Sequence, residues 1–148
     1  MTQISELLGG KINHIGRTCD LIMIGFDFPD KELGLHVQKA LFRVSAPEKL
    51  LICSGDMWTP GDNYQKKLFK KFQWDKPGDS LFDEQVKQHK AMLLGAIVDS
   101  ATQSAKDLII KLNNELSIEI FADTLVPEHE VYRLLHYHDW ESHYVVET

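Results

Sequence analysis

Residues 106–123, with the sequence KDLIIKLNNELSIEIFAD, predict a β-hairpin on which the rest of the fold is built. Two sets of alternating apolar residues flank the Asn113-Asn114 turn: Leu108, Ile110, Leu112, Leu116, Ile118 and Ile120. Alternation with a period of two is typical of half-buried antiparallel strands. Both sets share a face if Leu112 opposes Leu116, which leaves a three-residue loop. A two-residue Asn-Asn turn with a bulge is the alternative, because Glu115 suits a left-handed position poorly.

The size and composition of the chain predict one domain spanning residues 1–148. Its 148 residues suffice for a core without disulfide or metal support, and 43% hydrophobic with 26% charged residues is ordinary for a globular protein. No apolar run approaches the roughly 20 residues of a membrane helix. The N-terminus lacks the pattern of a signal peptide, so we expect a cytoplasmic protein.

The charge balance bears on the class of partner. A net charge of −6 argues against nucleic acid or an anionic membrane as the main partner, because both need a basic surface. It permits a basic protein partner. The oligomeric state cannot be read from the sequence.

The remaining elements indicate an α+β fold, mostly antiparallel β-sheet with one main helix at about residues 81–93. Ser80 can cap this helix, with Asp83 three residues later. A short N-terminal helix is predicted at residues 4–8, ended by Gly9-Gly10. Further strands are predicted at residues 19–26, 35–45, 50–54, 96–101, 130–136 and 143–146.

The C-terminal histidines are the candidate metal ligands. His136 and His138 would share a face of one strand, and His143 or Glu141 could add a third ligand for zinc. The alternative is a set of surface histidines around a turn. No second ligand pair stands at a recognised spacing, so we predict no metal and no cofactor.

Candidates for nucleophilic catalysis lack a supporting motif. Ser54 follows a strand but is not part of a GxSxG elbow, and Cys53 has no adjacent base by spacing. Cys53 and Cys19 both lie in apolar runs, which predicts buried free thiols. We therefore expect no enzymatic activity.

Residues 55–79, the middle segment, carry the candidate binding surface. This irregular stretch is long for a plain loop, and its aromatic residues argue against disorder. Aromatic side chains ringed by carboxylates are typical of a surface that recognises a basic protein. The alternative places Trp58 and Trp74 in the core, with the carboxylates on solvated turns. The predicted partner-binding residues are Asp56, Trp58, Asp62, Tyr64, Asp75 and Asp79.

Several stretches together resemble a family of small bacterial proteins. They are LLGGKINHIGRTCDLIMIGFDF (7–28), GLHVQKALFRV (34–44), LLICSGDMWTP (50–60), SLFDEQV (80–86), KDLIIKLNNELSIEIFADT (106–124) and HYVVE (143–147). The family is mostly uncharacterised and often occurs beside polymorphic or contact-dependent toxins. Lys39-Ala40 stands here where Cys-Pro is usual in that family. The resemblance covers nearly the whole chain and rests on structural motifs.

The resemblance implies an immunity-type protein that binds and neutralises a cognate toxin, such as a basic nuclease. Such a protein needs a rigid, complementary surface and no chemistry of its own. Two alternatives stay open: a zinc-dependent enzyme that uses the C-terminal histidines, and a ligand-binding or assembly module.

Overall fold

Alternating buried and exposed residues form antiparallel strands along most of the computed structural model. It describes residues 3–62 and 71–147, the side chains of residues 140–142 excepted. The strands are β1 (Lys11–Thr18), β2 (Leu21–Asp27), β3 (Glu32–Val37), β4 (Leu41–Ala46), β5 (Lys49–Cys53), β6 (Val98–Ser104), β7 (Asp107–Leu112), β8 (Ser117–Phe121), β9 (Glu130–His136) and β10 (Asp139–Glu147). The main helix is α1 (Leu81–Leu93), and short 3-10 helices span Ile4–Leu7 and Ser54–Trp58.

The strands form two five-stranded antiparallel sheets in a single compact α+β domain. The first sheet has the order β1-β2-β3-β9-β10, and the second has the order β5-β4-β8-β7-β6. One continuous hydrophobic core includes residues of both sheets, such as Ile24 and Leu35 from the first and Phe42 and Ile118 from the second. Each sheet therefore buries one face against the shared core.

The predicted hairpin is confirmed as β7 and β8, and β8 is the central strand of the second sheet. Ile110 pairs with Ile118, and the Leu112 amide donates to the Leu116 carbonyl at 2.9 Å. This register gives the three-residue loop, so the alternative two-residue turn is wrong. Glu115 occupies the left-handed position with φ of 68°, which an L-residue other than Asn or Gly adopts at a cost.

The sequence prediction missed β1 and joined β3 and β4 into one strand, because the turns before β2 and before β4 lie at non-glycine residues. Residues 11–27 form β1 and β2 around a tight turn at Cys19, and residues 32–46 form β3 and β4 around Lys39. Cys19 and Lys39 adopt φ of 50° and 55°. No Gly, Pro or Asn marks either turn in the sequence. Cys19 is exposed at its turn, so its predicted burial is also wrong.

The helix prediction is confirmed by α1 and its capping residue. The Ser80 hydroxyl accepts from the Asp83 amide at 3.1 Å, and the Asp83 carboxylate accepts from the Ser80 amide. Phe82 and Leu93 are buried, and α1 packs against β1, β5 and the 3-10 helix Ser54–Trp58. The N-terminal helix is a single 3-10 turn, Ile4–Leu7.

The C-terminal strands differ from the prediction at one boundary. β9 spans Glu130–His136 as predicted, whereas β10 begins at Asp139, four residues before the predicted start. β6 lies two to three residues later than predicted.

Within the described ranges, no helix has the length and apolar character needed to cross a membrane.

Candidate functional site

The two tryptophans of the middle segment lie together at the surface. Trp58 and Trp74 are 53% and 38% exposed, and their ring centroids are 5.8 Å apart with planes inclined at 42°. The alternative that places them in the core is therefore wrong. Trp58 ends the 3-10 helix Ser54–Trp58, while Trp74 lies on the irregular stretch that leads to α1. We call this pair the tryptophan surface.

A buried arginine fixes the backbone beneath Trp74. The Arg17 side chain, on β1, is only 1% exposed. Its Nη1 donates to the carbonyl of Trp74 at 2.7 Å, and its Nη2 donates to the carbonyl of Lys76 at 3.2 Å. The Trp74 backbone is thus attached directly to the first sheet, and the ring is presented from a fixed position.

Asp83 completes this anchor from the side of helix α1. Arg17 donates to both Asp83 oxygens at 2.8 Å, and the Gly78 amide and Ser80 hydroxyl donate to Oδ2 at the same distance. Burial on its own would raise the pKa of Asp83, but the hydrogen bonds from Arg17, Gly78 and Ser80 outweigh it and lower the pKa. Asp83 therefore stays ionised and paired at neutral pH.

The two ends of the middle segment are tied to each other. The Gly61 amide donates to the Asp79 carbonyl at 2.9 Å, and the Leu81 amide donates to the Thr59 carbonyl at 2.8 Å. Pro60 and Ser80 form an isolated β-bridge between these bonds. Residues 59–61 and 79–81 therefore lie side by side at the base of the middle segment.

The predicted acidic residues of the middle segment lie in different environments. Asp56 is half-buried, and its Oδ2 accepts from Gln85 Nε2 of α1 at 2.8 Å. Asp62 and Asp75 are exposed, and Asp79 is half-buried at the base of the loop. Tyr64 lies outside the described residues.

A small cavity adjoins Trp58 on the side facing the β3–β4 turn. Its volume is about 90 Å³, and three core residues line it: Ile22, Val37 and Met57. The rest of the lining consists of Trp58, Leu41, three charged residues and three small residues: Asp20, Lys39, Asp123, Ala40, Ser54 and Gly55. Leu41 is 49% exposed. The sequence prediction missed Leu41, Asp20 and Asp123 because each belongs to a segment far from Trp58 along the chain.

A larger groove of about 660 Å³ runs between β1 and α1. Arg17 and Asp83 line it together with Glu84, Lys87 and Lys90 of the helix and several uncharged residues: Gly16, Pro77, Gly78, Phe82 and Val86. Arg17 and Asp83 are saturated by the hydrogen bonds described above. The helical wall of the groove carries charges of both signs, from Glu84, Lys87 and Lys90.

The candidate nucleophiles have structural contacts. Ser54 is buried, and its hydroxyl accepts from the Phe42 amide at 2.9 Å. Burial and the nearby Asp56 carboxylate raise the pKa of the Cys53 thiol, although Arg43 opposes this. A raised pKa leaves less thiolate at neutral pH, so Cys53 is a weak nucleophile.

His136 and His138 do not share a strand face, as the zinc alternative would require. β9 ends at His136, so His138 lies in the following turn and not on the same strand face. His136 Nε2 lies 3.2 Å from Glu6 Oε2, whereas exposed His138 lies 3.9 Å from Glu32. The side chain of Glu141, the other candidate ligand, lies outside those that the structure describes. Among the described side chains, no three His, Cys, Asp or Glu residues are grouped to hold a metal ion.

Comparison of the chain with protein-family models, with curated proteins and with solved structures gave no match.

Proposed function

We propose that this chain is a binding protein that docks a basic protein partner on the tryptophan surface. The observation that carries the proposal is the contact between two exposed tryptophans on an anchored backbone. Large aromatic side chains gain favourable free energy when a partner removes their surface from water, and they dominate the binding energy of many interfaces.

The anchoring beneath the loop favours tight binding. Arg17 and Asp83 hold the backbone of residues 74–80 before any partner arrives. A preorganised surface loses little conformational entropy on association, and more of the contact energy appears as affinity. The small cavity beside Trp58 offers a recess with an apolar floor for one partner side chain.

The charge distribution favours a basic partner. Asp62 and Asp75 are exposed on the loop, and the whole chain carries a net charge of −6. Complementary charge accelerates association and disfavours acidic competitors. We further propose that the partner is a toxin domain, which an immunity-type protein inhibits by occlusion and without catalysis. That identification rests on the family resemblance of the sequence.

The test measures binding to a toxin domain encoded beside the gene. Its variants distinguish the tryptophans, which we expect to slow dissociation, from the aspartates, which we expect to speed association. Trp58→Ala and Trp74→Ala should speed dissociation and cost about 2 kcal/mol or more of binding energy each. Asp62→Lys and Asp75→Lys should slow association and weaken its salt dependence. Surface plasmon resonance at two salt concentrations measures both effects.

Leu50→Ala is the matched control, because Leu50 is 53% exposed, as Trp58 is, but lies on the edge strand β5. It should leave the binding kinetics unchanged. Equal binding by the parent and both tryptophan variants would place the interface elsewhere. If the parent neither binds the toxin domain nor protects cells that express it, the immunity role is refuted.

A further inference from the structure

The outer face of the first sheet carries a second concave site. None of its residues belongs to the tryptophan surface, and they come from other segments of the sequence. His36 alternates along β3 with the core residues Leu35 and Val37, so its side chain is on the opposite, outer face. Arg133 of β9 is its direct cross-strand partner. His143 of β10 pairs with Leu135, two residues along β9 from Arg133, and lies on that same face.

These three nitrogen-bearing side chains come from neighbouring strands and line one depression. Its volume is about 360 Å³, and the remaining lining residues are Leu21, Gln38, Glu130 and Leu135. This volume lies within the usual range for small-molecule sites. Nothing in the proposed interface uses this depression.

The charge of Glu130 is already satisfied within the site. Arg133 Nε donates to Glu130 Oε1 at 3.2 Å, and Arg133 Nη2 donates to Oε2 at 2.8 Å. This two-point pairing leaves Arg133 Nη1, with two N–H groups, unused by any described side chain. The carboxylate is neutralised while part of the guanidinium remains able to donate.

His36 adds a donor to the same depression. Its Nε2 is buried without a hydrogen-bond partner among the described residues. A buried N–H without an acceptor is disfavoured more than a buried lone pair. The ring proton therefore belongs on Nδ1, which is not a buried, unpaired atom. Burial and the Arg133 guanidinium lower the pKa of His36, which keeps the ring neutral near pH 7.

An oxyanion meets the requirements of this arrangement better than a cation or an apolar group. Apart from the buried Nε2 lone pair of His36, which is closed off from solvent, the unused hydrogen-bonding capacity identified above consists of N–H donors on two opposed residues, His36 and Arg133. An acceptor with two oxygens can bridge donors on adjacent strands, and ionised acceptors form the stronger bonds. We propose that the depression formed by His36, Arg133 and His143 binds a small ligand through a carboxylate or phosphate group.

The experiment titrates the untagged protein with inorganic phosphate in one arm and succinate in the other, at pH 7 and constant ionic strength. NMR follows the Cε1–H signals of His36 and His143. We expect saturable shifts of both signals in at least one arm. Saturation by phosphate alone would support a phosphate ligand, and saturation by succinate alone would support a carboxylate ligand.

Arg133→Gln should weaken binding about tenfold or more, since a hydrogen bond from a charged group is lost. Arg43→Gln is the matched control, because Arg43 is also paired with a glutamate, Glu119, but on the second sheet. It should leave the affinity unchanged. If Arg133→Gln does not fold, His36→Phe keeps a ring on the face, removes both nitrogens and should weaken binding as read from His143.

Shifts that rise without saturating in both arms would overturn the proposal. Equal affinities for the parent and either folded site variant would overturn it as well. Both readouts are independent of any toxin, so failure here leaves the proposed interface untouched.

Discussion

The Arg17 guanidinium uses all five of its N–H donors inside the protein. Two are bonded to the Asp83 carboxylate, and three are bonded to the carbonyls of Cys19, Trp74 and Lys76. A buried ion pair offsets its desolvation only when its geometry is good and its remaining groups are bonded. Both conditions are met here. This one residue therefore joins the β1–β2 turn, the loop before α1 and the start of that helix.

At the residue scale, Asp83→Asn should destabilise the protein in a pH-dependent way. It leaves the Arg17 charge without its counterion and should cost about 3 kcal/mol at pH 7. The folded pKa of Asp83 is lowered, so its stabilising contribution is complete above the unfolded value of about 4 and disappears as the pH falls through the folded value. The gap between parent and variant should thus narrow below about pH 4.

Urea unfolding of both proteins between pH 7 and pH 3 measures this gap. Asp75→Asn serves as the control, since Asp75 is an exposed aspartate of the same loop, and it should match the parent at every pH. A gap of constant size down to pH 3 would show that ionised Asp83 does not supply the stability.

At the element scale, the three-residue loop of the hairpin stores strain at Glu115. This exposed residue has φ of 68°, a region that favours glycine. Glu115→Gly should stabilise the protein by about 0.5–1 kcal/mol, because relief of left-handed strain exceeds the added entropy of the unfolded chain. Glu115→Ala removes the same charge but keeps a Cβ atom, and it should give no gain. If both variants raised the urea midpoint, the gain would come from loss of the Glu115 charge and not from relief of backbone strain.

The same loop illustrates which elements can be predicted from sequence. The alternation of apolar residues around Ile110 and Ile118 suffices to predict the hairpin, because one face of each strand is buried, but it left two loop geometries open. Ser80 and Asp83 likewise predict the start of α1, since helix capping is local. The turns at Cys19 and Lys39 could not be predicted in the same way. Their left-handed conformations are imposed by strand pairing on residues that do not favour them.

The candidate site was predictable only in part, for a similar reason. The composition of the middle segment indicates a surface loop with aromatic residues, and Trp58 and Trp74 are indeed exposed. The contact between their rings depends on Arg17, which is 66 residues from Asp83 and 57 from Trp74 along the chain. No local periodicity reports a hydrogen bond across such distances. The outer-face depression similarly needs the pairing of β3 with β9.

At the scale of the whole molecule, the two sheets depend on one core. Ile24 in the first sheet and Ile118 in the second are both fully buried and belong to the same cluster. Neither sheet has a separate core that would survive loss of the other. The chain should therefore unfold as one cooperative unit, as most single domains of this size do.

Isoleucine-to-valine substitutions in each sheet test that cooperativity. Ile24→Val and Ile118→Val each remove one buried methylene group and should lower the free energy of unfolding by about 1 kcal/mol. Each should shift the whole transition without changing its slope in urea, since the same surface is exposed on unfolding. Ile109→Val is the matched control, because Ile109 adjoins Ile110 on β7 but points to the outer face, where the same change should cost less than about 0.5 kcal/mol.

Two probes of the same urea titration distinguish one unit from two. Far-UV circular dichroism reports the strands of both sheets. Tryptophan fluorescence includes Trp74, which is bonded to Arg17 of the first sheet, and Trp58, which follows β5 of the second. The two transitions should coincide for the parent and shift together in Ile24→Val and in Ile118→Val. If Ile118→Val moved the circular dichroism transition while the fluorescence transition stayed in place, the sheets would be separate folding units.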